Sequence, residues 1–570
     1  MKPILLSNQS TLMEQKKTFG LPLSLGYVLA VCIPLFLLSA CTLLPERLRG
    51  GTPPATPPPT EKLSVNVPPA TSSPTDKTIA PASPVPTRSS LSSPTLIPAG
   101  VESEAVLQAV ALQPAYQADL QALQDLTRYD IQVDLDYDAS TFLGHETVIY
   151  TNTEEVSLDS LYFRLLPNGG RSYGDGSLTA SGLTQDGQPV ETTLSLDDSV
   201  LEVKLANPLD PGEQTRIEMD FVGQVPEDFG GEGYGIYNFS QGVLALSGWY
   251  PILAVYDDEG WNLDPTSAIG DSVYSDMAYY TVALTAPSDQ VVAATGVEVD
   301  RQNQGGKDLI RYASGPAREF FLVASPEFEV VSETREGTTV NSYYLPGSER
   351  GGQNALDVAQ DSLRTFNDKF GSYPYTELDI IQAPMENAAG VEFPGIVLIT
   401  EKYYTDDRRD FFTTTIAHEV AHQWWYNLVG NDVFDAPWQD EALATFSSAL
   451  YWEAAQGLGG YEGIMDYYEQ QYNRYLQENR DDLITGSLAH YEALPNGGGY
   501  GPVVYRKGAL FFRALRAEIG DEAFFKALKS YYETFKYKIA DPQDLLAAFE
   551  SAAGRQLDDF YNEWLYSAKP

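Results

Sequence analysis

The chain has 570 residues, 36 Lys and Arg against 79 Asp and Glu, a formal net charge of -43, and only 2 cysteines. At roughly 100–200 residues per domain there is room for two to four domains with real cores. A composition that is 43% hydrophobic and 12% aromatic excludes a wholly disordered chain. The acidity argues against nucleic acid, which needs clustered Lys and Arg. Cys32 and Cys41 lie too near the N-terminus to staple a fold.

Residues 1–40 read as a targeting segment. Lys2, Lys16 and Lys17 precede an apolar run from Leu21 to Ala40, which ends in Leu38-Ser39-Ala40-Cys41. That ending resembles the lipobox of bacterial lipoproteins. The resemblance implies cleavage after Ala40, lipidation of the Cys41 thiol, and a chain tethered to the cell membrane outside the cytoplasm. Twenty apolar residues are also long enough for an uncleaved signal anchor, which leads to the same side of the membrane. From Thr42 to Gly100 there is no aromatic residue, and Pro, Ser and Thr dominate. Such a segment cannot bury enough apolar surface to offset its ordering entropy, so residues 41–104 are expected to form an extended stalk.

The folded part opens with a lead-in over 105–127, helical in pieces and interrupted by Pro114. At Tyr129 the period changes to two, with Ile131, Val133, Leu135 and Tyr137 alternating with Asp130, Gln132, Asp134 and Asp136. Similar runs follow at Thr147–Thr151, Leu161–Leu165, Leu201–Leu205, Thr215–Phe221, Tyr279–Thr285 and Phe320–Val323, and Gln185-Asp186-Gly187 is turn chemistry. An all-β domain is therefore expected over 128–345. Beyond Gly347 helical spacing takes over, first at Asn354–Phe370. After a strand pair at Leu378–Ile381 and Ile396–Thr400, helices are expected at Phe411–Val429, Glu441–Gln456, Val503–Ile519 and Glu522–Tyr532, with Gly457 and Gly520 as stops. The whole reads as a multidomain α+β protein whose second folded domain spans 346–570.

Only four histidines occur, and two fall in His418-Glu419-Val420-Ala421-His422 within an expected helix. Spacing i, i+4 stacks both imidazoles on one helix face, the arrangement that binds zinc, with Glu419 beside them as a base. Glu441, in Trp438-Gln439-Asp440-Glu441-Ala442-Leu443-Ala444, is the candidate third ligand for one Zn2+ per chain. His145 and His490 stand alone, in a strand pattern and a loop, and read as structural. The Trp424–Trp425 pair reads as packing.

These motifs resemble the aminopeptidase N-type family of zinc peptidases (gluzincins). HEVAHQWWYNLV at 418–429 is similar to the family's HExxHQWxGNLV, with Tyr426 where glycine is usual, and WQDEALA at 438–444 to its WLNEGFA. Tyr505-Arg506-Lys507-Gly508-Ala509 resembles its tyrosine-bearing helix start, and SGWYP at 247–251 resembles a motif of its β domain. The resemblance implies a saddle-like β domain followed by a thermolysin-like, mainly helical catalytic domain, without the family's usual C-terminal helical domain. It implies hydrolysis of N-terminal residues from peptides, with Glu419 as general base and Tyr505 as oxyanion donor. Tyr500, five residues before that donor, is expected to bind substrate and share its role. It also implies a glutamate that holds the substrate's ammonium. Met385-Glu386-Asn387 looks like that glutamate's motif, but Ala388-Ala389-Gly390 and the strand after it select Glu392 instead. For a second β-domain clamp only Gln241 is at hand. An endopeptidase or carboxypeptidase on the same scaffold, and an idle peptide-binding surface lipoprotein, remain the competing readings.

Overall fold

The computed structural model describes residues 104–568, apart from 230–232, 272, 405–408 and 479. The expected leader over 1–40, Cys41 and nearly all of the stalk lie outside the described residues. The lead-in forms a helix at Glu104–Val110 and a 3₁₀ turn at Gln117–Ala122. Between them the Gln113 amide donates to Thr338 Oγ1 and to the Tyr373 carbonyl, each at 3.0 Å.

Strand Thr127–Asp136 shows how alternation builds the β part. Ile131, Val133 and Leu135 are buried, while Asp130, Gln132, Asp134 and Asp136 face water. The strand runs antiparallel to Thr141–Thr151 and parallel to Ala278–Pro287 inside an eight-stranded sheet. Two four-stranded sheets share its core, so the β part has three principal sheets. The expected runs fall on strands, shifted by a residue or two: Leu161–Leu165 on Leu158–Arg164, Phe320–Val323 on Leu322–Ser325. Asp186 and Gly187, with φ of 49° and 77°, form the two-residue turn expected there.

The expected boundary at 345 misplaces one hairpin. Strands Glu329–Arg335 and Thr338–Tyr344 belong to a five-stranded sheet whose order continues with Glu377–Ala383, Ile396–Thr400 and Gly390–Phe393. Thr338–Tyr344 pairs in parallel with Glu377–Ala383, and the connection between them is the helix Glu349–Lys369. The three sheets of the β part therefore end with Ser325. Alternation marks a strand but does not say which sheet it joins. The two parts meet at a shared core, where Phe321 stacks on Phe393 with ring centroids 3.8 Å apart.

The expected helices appear with moved ends: Glu349–Lys369, Arg409–Ala421, Trp438–Gln456, Gly508–Ile519 and Asp521–Phe535. Gly457 and Gly520 terminate two of them, with φ of 70° and 80°. The His418 helix stops at Ala421 rather than running to Val429. Trp424 and Trp425 turn into the core instead, where their indole N–H groups donate to the Gly371 carbonyl at 2.8 Å and to Ser447 Oγ at 3.0 Å. Long-range burial of two indoles outweighs the local helical preference.

Candidate active site

His418 comes from the last turn of Arg409–Ala421, His422 from the residue just past it, and Glu441 from the first turn of Trp438–Gln456. Their ligand atoms form a tight triangle. His418 Nε2 and His422 Nε2 are 3.2 Å apart, and Glu441 Oε2 lies 3.3 Å and 3.4 Å from them. A tetrahedral zinc with ligands at ~2.0–2.1 Å would hold neighbouring donors about 3.3 Å apart, so this set fits the ion. The His422 Nδ1–H donates to the Trp425 carbonyl at 3.1 Å, which leaves Nε2 as the free lone pair. Glu441 Oε2 receives no hydrogen bond although it is buried, as expected of an oxygen meant for a metal. Burial works against the charge on Glu441, but the two imidazoles beside it outweigh that cost and hold the carboxyl at about 2.

Glu419 is buried beside this triangle and outside it. Its carboxyl packs on Gly390, where an added Cβ would sit 2.5 Å from Glu419 Oε1, so only glycine fits there. Burial pushes Glu419 up to about 8, near the working range of a base that takes a proton and returns it. Glu392 lies two residues along the same strand, with Oε1 3.3 Å from His422 Nδ1. Phe393, stacked on Phe321, anchors that strand. Glu386 is elsewhere, on an exposed loop with Lys402 Nζ at 3.9 Å.

Two further carboxylates converge on Glu392. Asp271, from the loop that leads into Ala278–Pro287, and Asp440 each offer an oxygen within 4.8 Å of one from Glu392. Asp440 had been visible in the motif without a role, and Asp271 carries no signal of spacing or period. Gln241 does not reach the site as a clamp. It is exposed in the two-residue turn between Tyr237–Ser240 and Val243–Leu246, with φ of 51°.

Tyr505 stacks on the His418 ring with centroids 5.8 Å apart, and its hydroxyl donates to Glu441 Oε1. It sits in a π-helical segment, Gly501–Lys507, just ahead of Gly508–Ile519. Such wide turns recur at functional sites because they re-aim one side chain. Lys507, buried 2.8 Å from Asp481, fixes the segment from behind. Tyr500 is buried and packs edge-on against Tyr505, with centroids 5.5 Å apart. His145 pairs with Asp220 on the β part, at 2.9 Å. His490 lies in a short helix, Leu488–Glu492, rather than the expected loop, with Nε2 2.9 Å from Asp482.

Tyr426, at the position where the family pattern has glycine, has φ of 89°, a backbone state that favours glycine. Its side chain ties the site to the β part. The hydroxyl donates to the Val273 carbonyl, two residues from Asp271, and the Arg318 guanidinium lies over the ring at 5.6 Å. Arg318 is itself buried and donates to the carbonyls of Tyr426, Ser275 and Lys538 at 2.6, 2.9 and 2.7 Å. These contacts hold the Asp271 loop against the metal-site segment.

Residues 354–564 match the Peptidase family M1 domain. The chain is 26% identical over 475 residues to aminopeptidase M1-A of Oryza sativa subsp. japonica, covering 79% of this chain and 51% of that protein. It is 23% identical over 472 residues to the puromycin-sensitive aminopeptidase of Caenorhabditis elegans, covering 77% and 46%. It thus spans about half the length of the curated relatives it matches. In fold it is similar to the M1 zinc metallopeptidase of Deinococcus radiodurans, with a TM-score of 0.60 at 21% identity over 78% of this chain and 95% of that one. Together with the buried His418–His422–Glu441 triangle, these likenesses mark residues 354–564 as a domain similar to those of the aminopeptidase N-type, or M1, family of zinc metallopeptidases.

Proposed function

We propose that the protein is a membrane-tethered, extracytoplasmic zinc aminopeptidase that removes N-terminal residues from peptides. The observation that carries this reading is Glu392. It is a buried carboxylate beside the metal triad, on the outermost strand of the five-stranded sheet. An extended peptide can add to such an edge, and its free ammonium would then meet Glu392. A charge-assisted contact of this kind contributes about 1.5–3 kcal/mol. His418, His422 and Glu441 would hold the zinc, which supplies the Lewis acidity that makes water a nucleophile near neutral pH. Glu419 takes the proton of the attacking water and passes it to the leaving amine. Tyr505 exchanges its present acceptor, Glu441, for the oxyanion that forms at the scissile carbonyl. Tyr500 packs behind it and supports its aim. A mutant of the Deinococcus radiodurans protein was solved bound to a Tyr-Ser-Ala substrate, and a peptide is the substrate class proposed here as well.

A panel of amino-acyl fluorogenic substrates, each with its N-acetylated counterpart and run with and without a zinc chelator, tests this reading. Chelator-sensitive turnover confined to the free-amine compounds is expected. Equal cleavage of the acetylated compounds points to an endopeptidase, and no turnover at all to an idle binding protein.

The tether belongs to the same proposal and rests on the lipobox-like ending at Cys41. Two or more acyl chains hold a protein on a membrane where one alone does so only marginally. Cys41→Ala is expected to abolish incorporation of a fatty-acid analogue and to leave a longer precursor. Equal labelling of wild type and variant favours the uncleaved signal anchor.

A further inference from the structure

We propose that Asp271, Glu392 and Asp440 form a second cation site, next to the zinc triad, that takes a hard divalent ion such as calcium or manganese. The three residues arrive from separate parts of the chain: a loop of the β part, the edge strand Gly390–Phe393 and the helix Trp438–Gln456. One oxygen from each lies within 4.8 Å of the others. Glu392 and Asp440 are only 8% and 1% exposed. Glu392 Oε1 and Asp440 Oδ2 nevertheless receive no hydrogen bond. Buried carboxylates without donors are costly unless a cation meets them.

The nearest proton donor does not serve that purpose. His422 Nδ1 stands 3.3 Å from Glu392 Oε1 and 3.8 Å from Asp440 Oδ2, but its proton goes to the Trp425 carbonyl. On the other side, Asn431 Nδ2 donates to Asp440 Oδ1 at 3.0 Å, which orients Asp440 and leaves Oδ2 for the cluster. The donor set is all oxygen, whereas the zinc triad has two imidazoles, so the two places differ in the metal they prefer. Calcium accepts oxygens at ~2.3–2.6 Å in loose geometry and so suits donors this widely spread, with water completing the shell. Magnesium, which demands a tight octahedron at ~2.0–2.1 Å, suits them poorly.

The consequence for catalysis rests on the reading of Glu392 as the ammonium anchor: the ion and the peptide's ammonium would then exclude each other. Two measurements on the zinc-loaded protein separate the claims. In equilibrium dialysis against calcium, and in manganese titrations followed by electron paramagnetic resonance, wild type is expected to bind one ion more than Asp271→Asn. Zinc content should match in the two proteins. Asp440→Asn should lose the same ion, which guards against a folding defect in one variant, and Asp258→Asn in an exposed loop should keep it. Equal ion counts in wild type, Asp271→Asn and Asp440→Asn overturn the site. In kinetics, millimolar calcium is expected to raise KM several-fold for free-amine substrates at unchanged kcat. If the ion binds but inhibition is not competitive, the cation site stands and the ammonium role of Glu392 fails.

Discussion

Glu419→Gln is expected to lower turnover by about two to four orders of magnitude while zinc stays at one per chain, because positioned acid–base catalysis contributes that much and the base is not a ligand. The proposed metal donors are His418, His422 and Glu441, whose atoms close a triangle without Glu419. Gln keeps the length and shape that pack on Gly390, so the local structure should survive. What it loses is the ability to accept a proton. In the proposed reaction the wild-type Glu419 carboxylate collects a proton from water and releases it to the departing amine within one cycle. Metal analysis beside kcat/KM checks the expectation. A parallel loss of zinc and activity would show that Glu419 acts on the metal instead.

Glu392→Ala is expected to cut kcat/KM for free-amine substrates tenfold or more, since a lost ammonium contact of about 1.5–3 kcal/mol corresponds to one to two decades at about 1.4 kcal/mol each. Acetylated substrates carry no ammonium, so any residual turnover of them should be indifferent to the change. Glu386→Ala should stay close to wild type. Its carboxylate is half-exposed, and Lys402 Nζ is 3.9 Å away. Exposed pairs of that kind contribute about 0–1 kcal/mol. Glu386 proving the sensitive residue would move the ammonium site and remove the reason for reading the enzyme as an aminopeptidase.

Some of this protein is determined by the sequence alone, wherever the cause is local. The i, i+4 spacing of His418 and His422 puts two imidazoles on one face whatever surrounds them, and Glu441 is readable because it opens the next helix. Alternation over 130–136 specifies a half-buried strand for the same reason: the pleat repeats every two residues. The expectation of Glu392 rather than Glu386 as the ammonium anchor likewise comes from near neighbours, Ala388-Ala389-Gly390 and the strand that follows.

The rest is settled by contacts between residues far apart in sequence. The hairpin Glu329–Tyr344 has an ordinary alternating pattern, and only pairing with Glu377–Ala383 assigns it to the catalytic sheet. The His418 helix ends at Ala421 because two indoles find partners 53 and 22 residues away, which helix propensity cannot report. Asp271 lies in a loop without periodicity, and its place beside Glu392 depends on Tyr426 and Arg318 tying that loop to the metal-site segment. Local chemistry thus announces the candidate metal ligands and the candidate base, whereas the pocket that surrounds them is assembled from segments whose meeting only tertiary packing decides. Burial of a side chain or a carboxylate is a property of the whole fold, and no short stretch of sequence encodes it.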